Sequence, residues 1–436
     1  MAKKALIATA AFAIAAVALS GCSSSGGSDK GIAGKPKGEI TVLTQRTDLV
    51  SDGTFKKYAA EFNKTYPDVT VKFEGVNDYE NAIKTRLNGT KYGDVLAIPA
   101  AVKPSQLGQF FEPLGKTADY GGKYRYTAQA SYNGTQFGIV SGGNANGVVY
   151  NKKVWEKAGI TALPKSESEW LADLKLIKEK TDAIPLYTNY KDGWPLSQGM
   201  GSLGAITNDP DAAIHMAENP KPWTEGTDIY AIDSLLFDSV NQKLTEPDPL
   251  STDWEGSKTQ LASGKISAMV LGSWSISQMQ AAAVKAGTSA DDIGYMAFPA
   301  TVKGVQYATN AGDYAYGISK HSKAKAAAMA WITWFTEKSD YTKTQGMVST
   351  LKDSPLPANL KGLSDAGVKL IEPAAAPKGK ESLLSDIANQ SQIDLYGQVY
   401  RQKLVDIARG AADGTKDSYF SELNAKWGAA VKQLAK

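Results

Sequence analysis

The sequence predicts an α/β fold in two lobes, with a ligand site in the cleft between them. Three observations carry this reading. Short apolar, β-branched segments alternate with helical stripes over residues 39–98, a second such series opens at 147, and a strand-like run at 314–318 re-enters the first. The 436 residues suffice for two or three domains with a sizeable core.

Residues 39–45 (EITVLTQ) alternate as a strand does. Phe55, Tyr58, Ala59 and Phe62 then share one helical face, until Pro67-Asp68 breaks the pattern. Residues 69–74 (VTVKFE) read as a second strand, and Tyr79, Ile83 and Leu87 as a stripe closed by Gly89. Residues 94–98 (DVLAI), stopped by Pro99, are a third strand. This βαβαβ order predicts a parallel sheet with right-handed crossovers.

In the second series, 147–150 is a strand and 151–158 a helix stopped by Gly159. Ser166-x-x-Glu169 is a capping box opening a helix with Trp170, Leu174 and Ile177 on its buried side. Residues 184–188 are strand-like, and 195–206, 228–242 and 253–262 read as helices. Residues 266–271 are apolar but for Ser267 and bounded by glycines, which predicts a strand buried on both faces of a parallel sheet. Ser273 is placed to cap the next helix, so Trp274 falls at the strand's carboxyl end, where open α/β sheets bind ligands. Core filling is the competing role for that indole. Residues 324–337 form a helix offering Met329, Ile332, Trp334 and Phe335 for burial, and the chain beyond 362 is mostly helical.

The formal charge of +3 falls to +1 when Lys3 and Lys4 leave with a cleaved leader, so nucleic acid is not an expected partner. The leader is a basic start followed by the apolar run 5–19, whose 15 residues fall short of the roughly 20 needed to span a bilayer. Leu19-Ser20-Gly21-Cys22 resembles the lipobox of bacterial lipoproteins, and Cys22 is the only cysteine. A lipidated Cys22 would make the membrane a partner through the anchor alone. Residues 23–37 are a Ser/Gly tether with a reach of roughly 20 Å.

Catalytic signatures are missing. His215 and His321 have no metal-ligand spacing, and no nucleophile elbow or Walker lysine motif is present. Gly199-Met200-Gly201-Ser202-Leu203-Gly204 matches a dinucleotide fingerprint in letters only, since no strand precedes it. No cofactor is expected. Carboxylates are too plentiful for counting to dismiss a glycosidase pair, but nothing selects one.

Several motifs occur in a fixed order behind the lipobox: Ile40-Thr41-Val42-Leu43, Tyr66-Pro67-Asp68-Val69, Gly93-Asp94-Val95 and Val149-Tyr150-Asn151-Lys152. Gly264-Lys265-Ile266-Ser267-Ala268-Met269 leading to Gly272-Ser273-Trp274, and then Ile318-Ser319-Lys320, complete the series. On these residues the chain resembles the extracellular solute-binding lipoproteins of carbohydrate ABC importers, the family that includes maltodextrin-binding proteins. The resemblance implies a two-lobe, type II periplasmic-binding-protein-like fold with three hinge crossovers, near 145–149, 308–313 and 353–358. The lobes would be 38–147 plus 311–355, and 148–309 plus 357–436. It also implies a monomer without catalysis that traps an oligosaccharide in the cleft and delivers it to permease subunits. A polyol or glycosyl phosphate is the alternative ligand, and a surface-anchored glycoside hydrolase the alternative class.

A sugar offers hydroxyls to polar groups and C–H faces to aromatic rings. All nine tryptophans lie at or beyond Trp155, from which the first lobe is expected to hold none, so that stacking comes from the second lobe and hydrogen bonds from the first. Trp274 is the foremost candidate, and Trp194, Asn189 and Tyr190 share a loop at another strand end. In the first lobe Gln45, Arg46 and Asp48 follow the opening strand; a surface ion pair is the competing role of the last two. Asp94 is either a ligand contact or a cap. Asn144 and Asn146 flank the first hinge, Asp313 and Tyr314 the second, and Tyr396 (or Tyr400) would add a further stacking face.

Overall fold

The computed structural model describes residues 31–397 and 399–434. The expected leader, Cys22 and the start of the tether lie outside the described residues.

The first sheet runs in the order Val69–Gly75, Gly38–Thr44, Val95–Ala97, Ala315–Ile318, Gly138–Val140. Its first three strands are parallel, with Val42 opposite both Phe73 and Val95. Ala315–Ile318 lies antiparallel to both its neighbours, so the sheet expected to be parallel is mixed. A helical crossover forces parallel pairing, whereas a strand supplied by a chain returning from another lobe has no such constraint. Helix Thr54–Thr65 covers the sheet with Phe55 and Phe62, and helix Lys325–Lys338 adds Trp331 and Phe335. Trp331 is only 1% exposed, and Trp334 packs beside Phe62. The first lobe therefore does hold indoles, contrary to the expectation, but they serve its core.

The second sheet runs Lys369–Ile371, Tyr307–Gly312, Gly143–Asn151, Ile266–Gly272, Ile184–Leu186, with Ile293–Met296 also paired to Gly143–Asn151. Ile266–Gly272 is buried at every position but Val270. It is parallel to Ile184–Leu186 and antiparallel to Gly143–Asn151, so this sheet is mixed too. Strand Lys369–Ile371 interrupts a stretch expected to be helical, because it finds an edge partner in Tyr307–Gly312. The Ser166 hydroxyl accepts the Glu169 N–H (3.3 Å), while the Glu169 carboxylate takes the Lys165 N–H (2.6 Å), one residue before the cap.

Three passages of chain meet at one place. Gly143, Asn144 and Ala145 pair with Gly312, Ala311 and Asn310. Gly143 also exchanges both backbone hydrogen bonds with Val348, at 2.7 and 2.8 Å. Met347 belongs to the first core and Val348 to a second.

Candidate functional site

The carboxyl end of Ile266–Gly272 abuts this crossing. A Cβ at Gly272 would lie 2.6 Å from the Trp274 ring, so glycine is what lets the indole fold back over the strand end. Ser273 does not cap the helix as expected. Its hydroxyl accepts the Ala145 N–H (3.0 Å) and donates to Asn144 Oδ1 (3.4 Å), and its own N–H donates to the Ala145 carbonyl (2.8 Å). The serine ties the indole's root to the hinge strand.

Trp274 is one of three clustered indoles. Ring centroids are 5.0 Å apart for Trp194 and Trp254, 5.9 Å for Trp194 and Trp274, and 5.7 Å for Trp254 and Trp274. Each ring is half-buried, its inner edge packed on the core below the second sheet. Asp192 ties the backbone beneath two of them: its carboxylate accepts the Trp254 backbone N–H and its carbonyl the Trp194 backbone N–H, both at 2.8 Å. Lys258 Nζ stands 4.9 Å from the Trp254 ring centre. Trp254 was not among the sequence candidates. It begins its helix just as Trp274 does, and that shared position is the signal that could have found it.

In the first lobe, Arg46 grips Asp48 with Nε (2.9 Å) and Nη2 (2.7 Å), and donates to Tyr341 (3.2 Å) and Gln345 (2.8 Å). Burial disfavours the Arg46 charge, but the Tyr341 phenol and the Asp48 carboxylate outweigh it, so its pKa lies above the ordinary arginine value. Burial in turn pushes the Tyr341 phenol up to about 12. Tyr341 and Gln345 come from a segment nearly 300 residues away and carried no sequence signal. Gln45 is half-buried beside Thr44, whose hydroxyl donates to Gln45 Oε1 (3.4 Å).

The hinge joins the two groups. Asn144 Oδ1 accepts the Ser273 hydroxyl, and Asn144 and the Arg46 charge both favour the ionised form of Asp313. Desolvation still wins at Asp313 and raises its pKa. Asn146 Oδ1 sits where a Cβ on Gly201 would stand, 2.1 Å away. Tyr314 donates to Glu80 (2.6 Å). Tyr396 keeps 59% of its surface exposed.

A polar hinge, a set of half-exposed indoles and a half-buried arginine anchored by a carboxylate suit a ligand-binding site. A family model described as bacterial extracellular solute-binding protein matches residues 47–341, more than half of the chain.

The chain belongs to this family.

Solved structures agree. This solute-binding protein is 38% identical to BlMnBP1, a binding protein of an ABC transporter from Bifidobacterium animalis subsp. lactis, in complex with mannobiose. The match covers 91% of this chain and 95% of that one, with a TM-score of 0.86. BlMnBP2 of the same organism, manno-oligosaccharide specific and solved with mannotriose, is 37% identical over 91% and 95%, with a TM-score of 0.85. The multiple sugar-binding protein of Streptococcus mutans is 25% identical over 68% of this chain and 70% of its own. The fold is type II periplasmic-binding-protein-like, and the protein is a transport component, not an enzyme. Among the described residues no helix is long and apolar enough to cross a membrane.

Three sequence candidates stand apart from the solute-binding protein's interlobe seam. Asp94 precedes its strand, at the amino end of the sheet, and its oxygens already accept the Thr41 N–H (2.9 Å) and the Ser322 hydroxyl (2.6 Å). Asn189 is fully buried, because its left-handed backbone (φ 55°) turns the side chain inward against Met269. It borders a cavity of about 40 Å³ between strand and helix, far below the several hundred of a typical ligand pocket. Tyr190 is 8% exposed and donates to Asp406 (3.0 Å). Its part is structural.

Beneath the same loop Glu246 is buried with no cation against it among the described residues. It accepts the Thr188 N–H (2.8 Å) and the Thr188 hydroxyl, and burial pushes its pKa up to about 7. A carboxyl with a raised folded pKa contributes most below its unfolded value of about 4.5, and that contribution is lost as the pH climbs to about 7. Unfolding free energy should therefore drop by about 3 kcal/mol over that interval, and Glu246→Gln should flatten the drop. Denaturant melts of both proteins at pH values from about 5 to 8 check this; parallel curves would mean that Glu246 does not titrate there.

Proposed function

We propose that this protein is the sugar-capturing component of an ABC importer, anchored outside the cytoplasmic membrane through lipidated Cys22, and that its ligand is a manno-oligosaccharide. The observation that carries the reading is the cluster of Trp194, Trp254 and Trp274, three half-exposed indoles at helix starts beside the hinge. Indole faces complement the C–H faces of a pyranose, and three of them fit successive units better than a single sugar. Asn144, Asn146, Asp313 and the Arg46–Asp48 pair supply bidentate partners for ring hydroxyls, with Gln45 and Tyr314 beside them. Tyr396 is the outermost stacking face. Lobes 38–147 plus 311–355 and 148–309 plus 357–436 close about the three crossovers, and the permease reads the closed form.

The likeness to BlMnBP1 and BlMnBP2, solved with mannobiose and mannotriose, supports this sugar class. A glycosyl phosphate suits the site less well, because the guanidinium at its wall is already held by Asp48. Calorimetric titration with mannobiose, mannotriose, raffinose and a hexose phosphate tests the assignment. We expect stoichiometric binding without turnover, tightest for mannotriose, together with a smaller radius of gyration. Failure of both manno-oligosaccharides to bind would refute it. Release of Cys22→Ala protein into the medium checks the anchor.

A further inference from the structure

Away from the hinge, two contacts join the lobes by their tips. Lys103 Nζ lies 2.6 Å from Asp386 Oδ1, and the Ser105 N–H donates to Ser382 Oγ at 3.2 Å. Lys103 caps, and Ser105 belongs to, the 3-10 turn Pro104–Gln106 that follows strand Val95–Ala97, within the first lobe. Ser382 immediately precedes, and Asp386 belongs to, helix Leu383–Ser391, whose Ile387 is buried in a core of the second lobe. The partners are 283 residues apart, so nothing in the local chain holds them together.

Polar contacts between the lobes that lie beside the hinge behave differently. Tyr126 donates to Asn310 (2.8 Å), and Arg125 pairs with Glu372 (2.9 Å), which also receives Asn310. Asn310 is itself a hinge-strand residue, paired with Ala145. Contacts beside a hinge persist when it opens, whereas contacts at the tips must break.

We propose that Lys103 and Asp386 form a clasp that holds the closed form, so that part of the protein's apparent sugar affinity resides in an ion pair that need not touch the sugar. The inference rests on the sugar-capture reading above. The side chains are 30% and 39% exposed, so the pair is a modest, salt-screened contribution rather than a deep lock. Affinity for a ligand that needs the closed state scales with that state's population. Loss of the pair should therefore speed release of the ligand and leave encounter unchanged.

The test uses mannotriose as probe on the full chain. Lys103→Glu and Asp386→Lys are each expected to weaken binding by about two- to fivefold, through the dissociation rate. The double reversal should restore it, and high salt should erase the difference between wild type and single variants. Unfolding midpoints of all four proteins are expected to agree, because neither residue belongs to a core. If either single reversal binds and releases mannotriose as wild type does, or if the double fails to recover, the clasp is overturned while the capture reading stands. If wild type itself takes up no manno-oligosaccharide, it is the capture reading that has failed.

Discussion

Trp274→Ala is expected to weaken mannotriose binding at least tenfold, about 1.4 kcal/mol or more, with little change in the unfolding midpoint. The two halves of this expectation have separate grounds. The indole is half-buried and leans on Trp194 and Trp254, so its removal uncovers a face without emptying a sealed core. Alanine is the best helix former, and the helix Trp274–Lys285 loses no cap, since Ser273 bonds to the hinge strand instead. What disappears is the flat apolar surface nearest the crossing strands, together with support for its two partner rings. Trp274→Phe keeps a smaller ring and should retain much of the affinity. Titration calorimetry alongside thermal unfolding separates the cases. Wild-type affinity in the alanine variant would make the ring structural, and a collapsed midpoint would make it core.

Trp274 was legible because the strand before it is a closed apolar run that ends on glycine, a pattern that fixes both the element and its exit. Trp254 was not, because the segment ahead of it is a short helical turn rather than a strand, and only tertiary folding brings it to the other rings. Trp194 ranks above Asn189 and Tyr190 as a candidate in the same loop, and the left-handed backbone at Asn189 accompanies the burial of those two. Asp94 shows a different limit: the residue before a parallel strand lies at the end opposite the site, and proximity in sequence hides that. Strand direction was the least legible property. Periodicity marks an element but carries no sign, and in both sheets the antiparallel strands adjoin the segments where the chain crosses between lobes.

Asp233→Ala is expected to cost about 3–5 kcal/mol of unfolding free energy, the largest effect of any single change considered. The second lobe encloses an ion pair in which Arg401 and Asp233 are both completely buried, 3.0 Å apart. One carboxylate serves the guanidinium, the Trp223 indole N–H (2.8 Å) and the Tyr400 hydroxyl (3.2 Å), so its loss strands three donors at once. Among the described residues Arg401 keeps one hydrogen bond, to the Leu395 carbonyl (2.7 Å), and its place over the Tyr400 ring (4.5 Å), while its Nη2 already lacks a partner. A buried cation without a counter-charge is a far worse state than no ion at all. Removing both charges, as in Asp233→Leu with Arg401→Met, should therefore recover much of what Asp233→Ala loses. Denaturant unfolding of the two variants measures the difference directly. A single variant within about 1 kcal/mol of wild type would show that solvent reaches the arginine, and the helices Asp228–Asn241 and Val399–Ala408 would then have to be held by their apolar contacts alone.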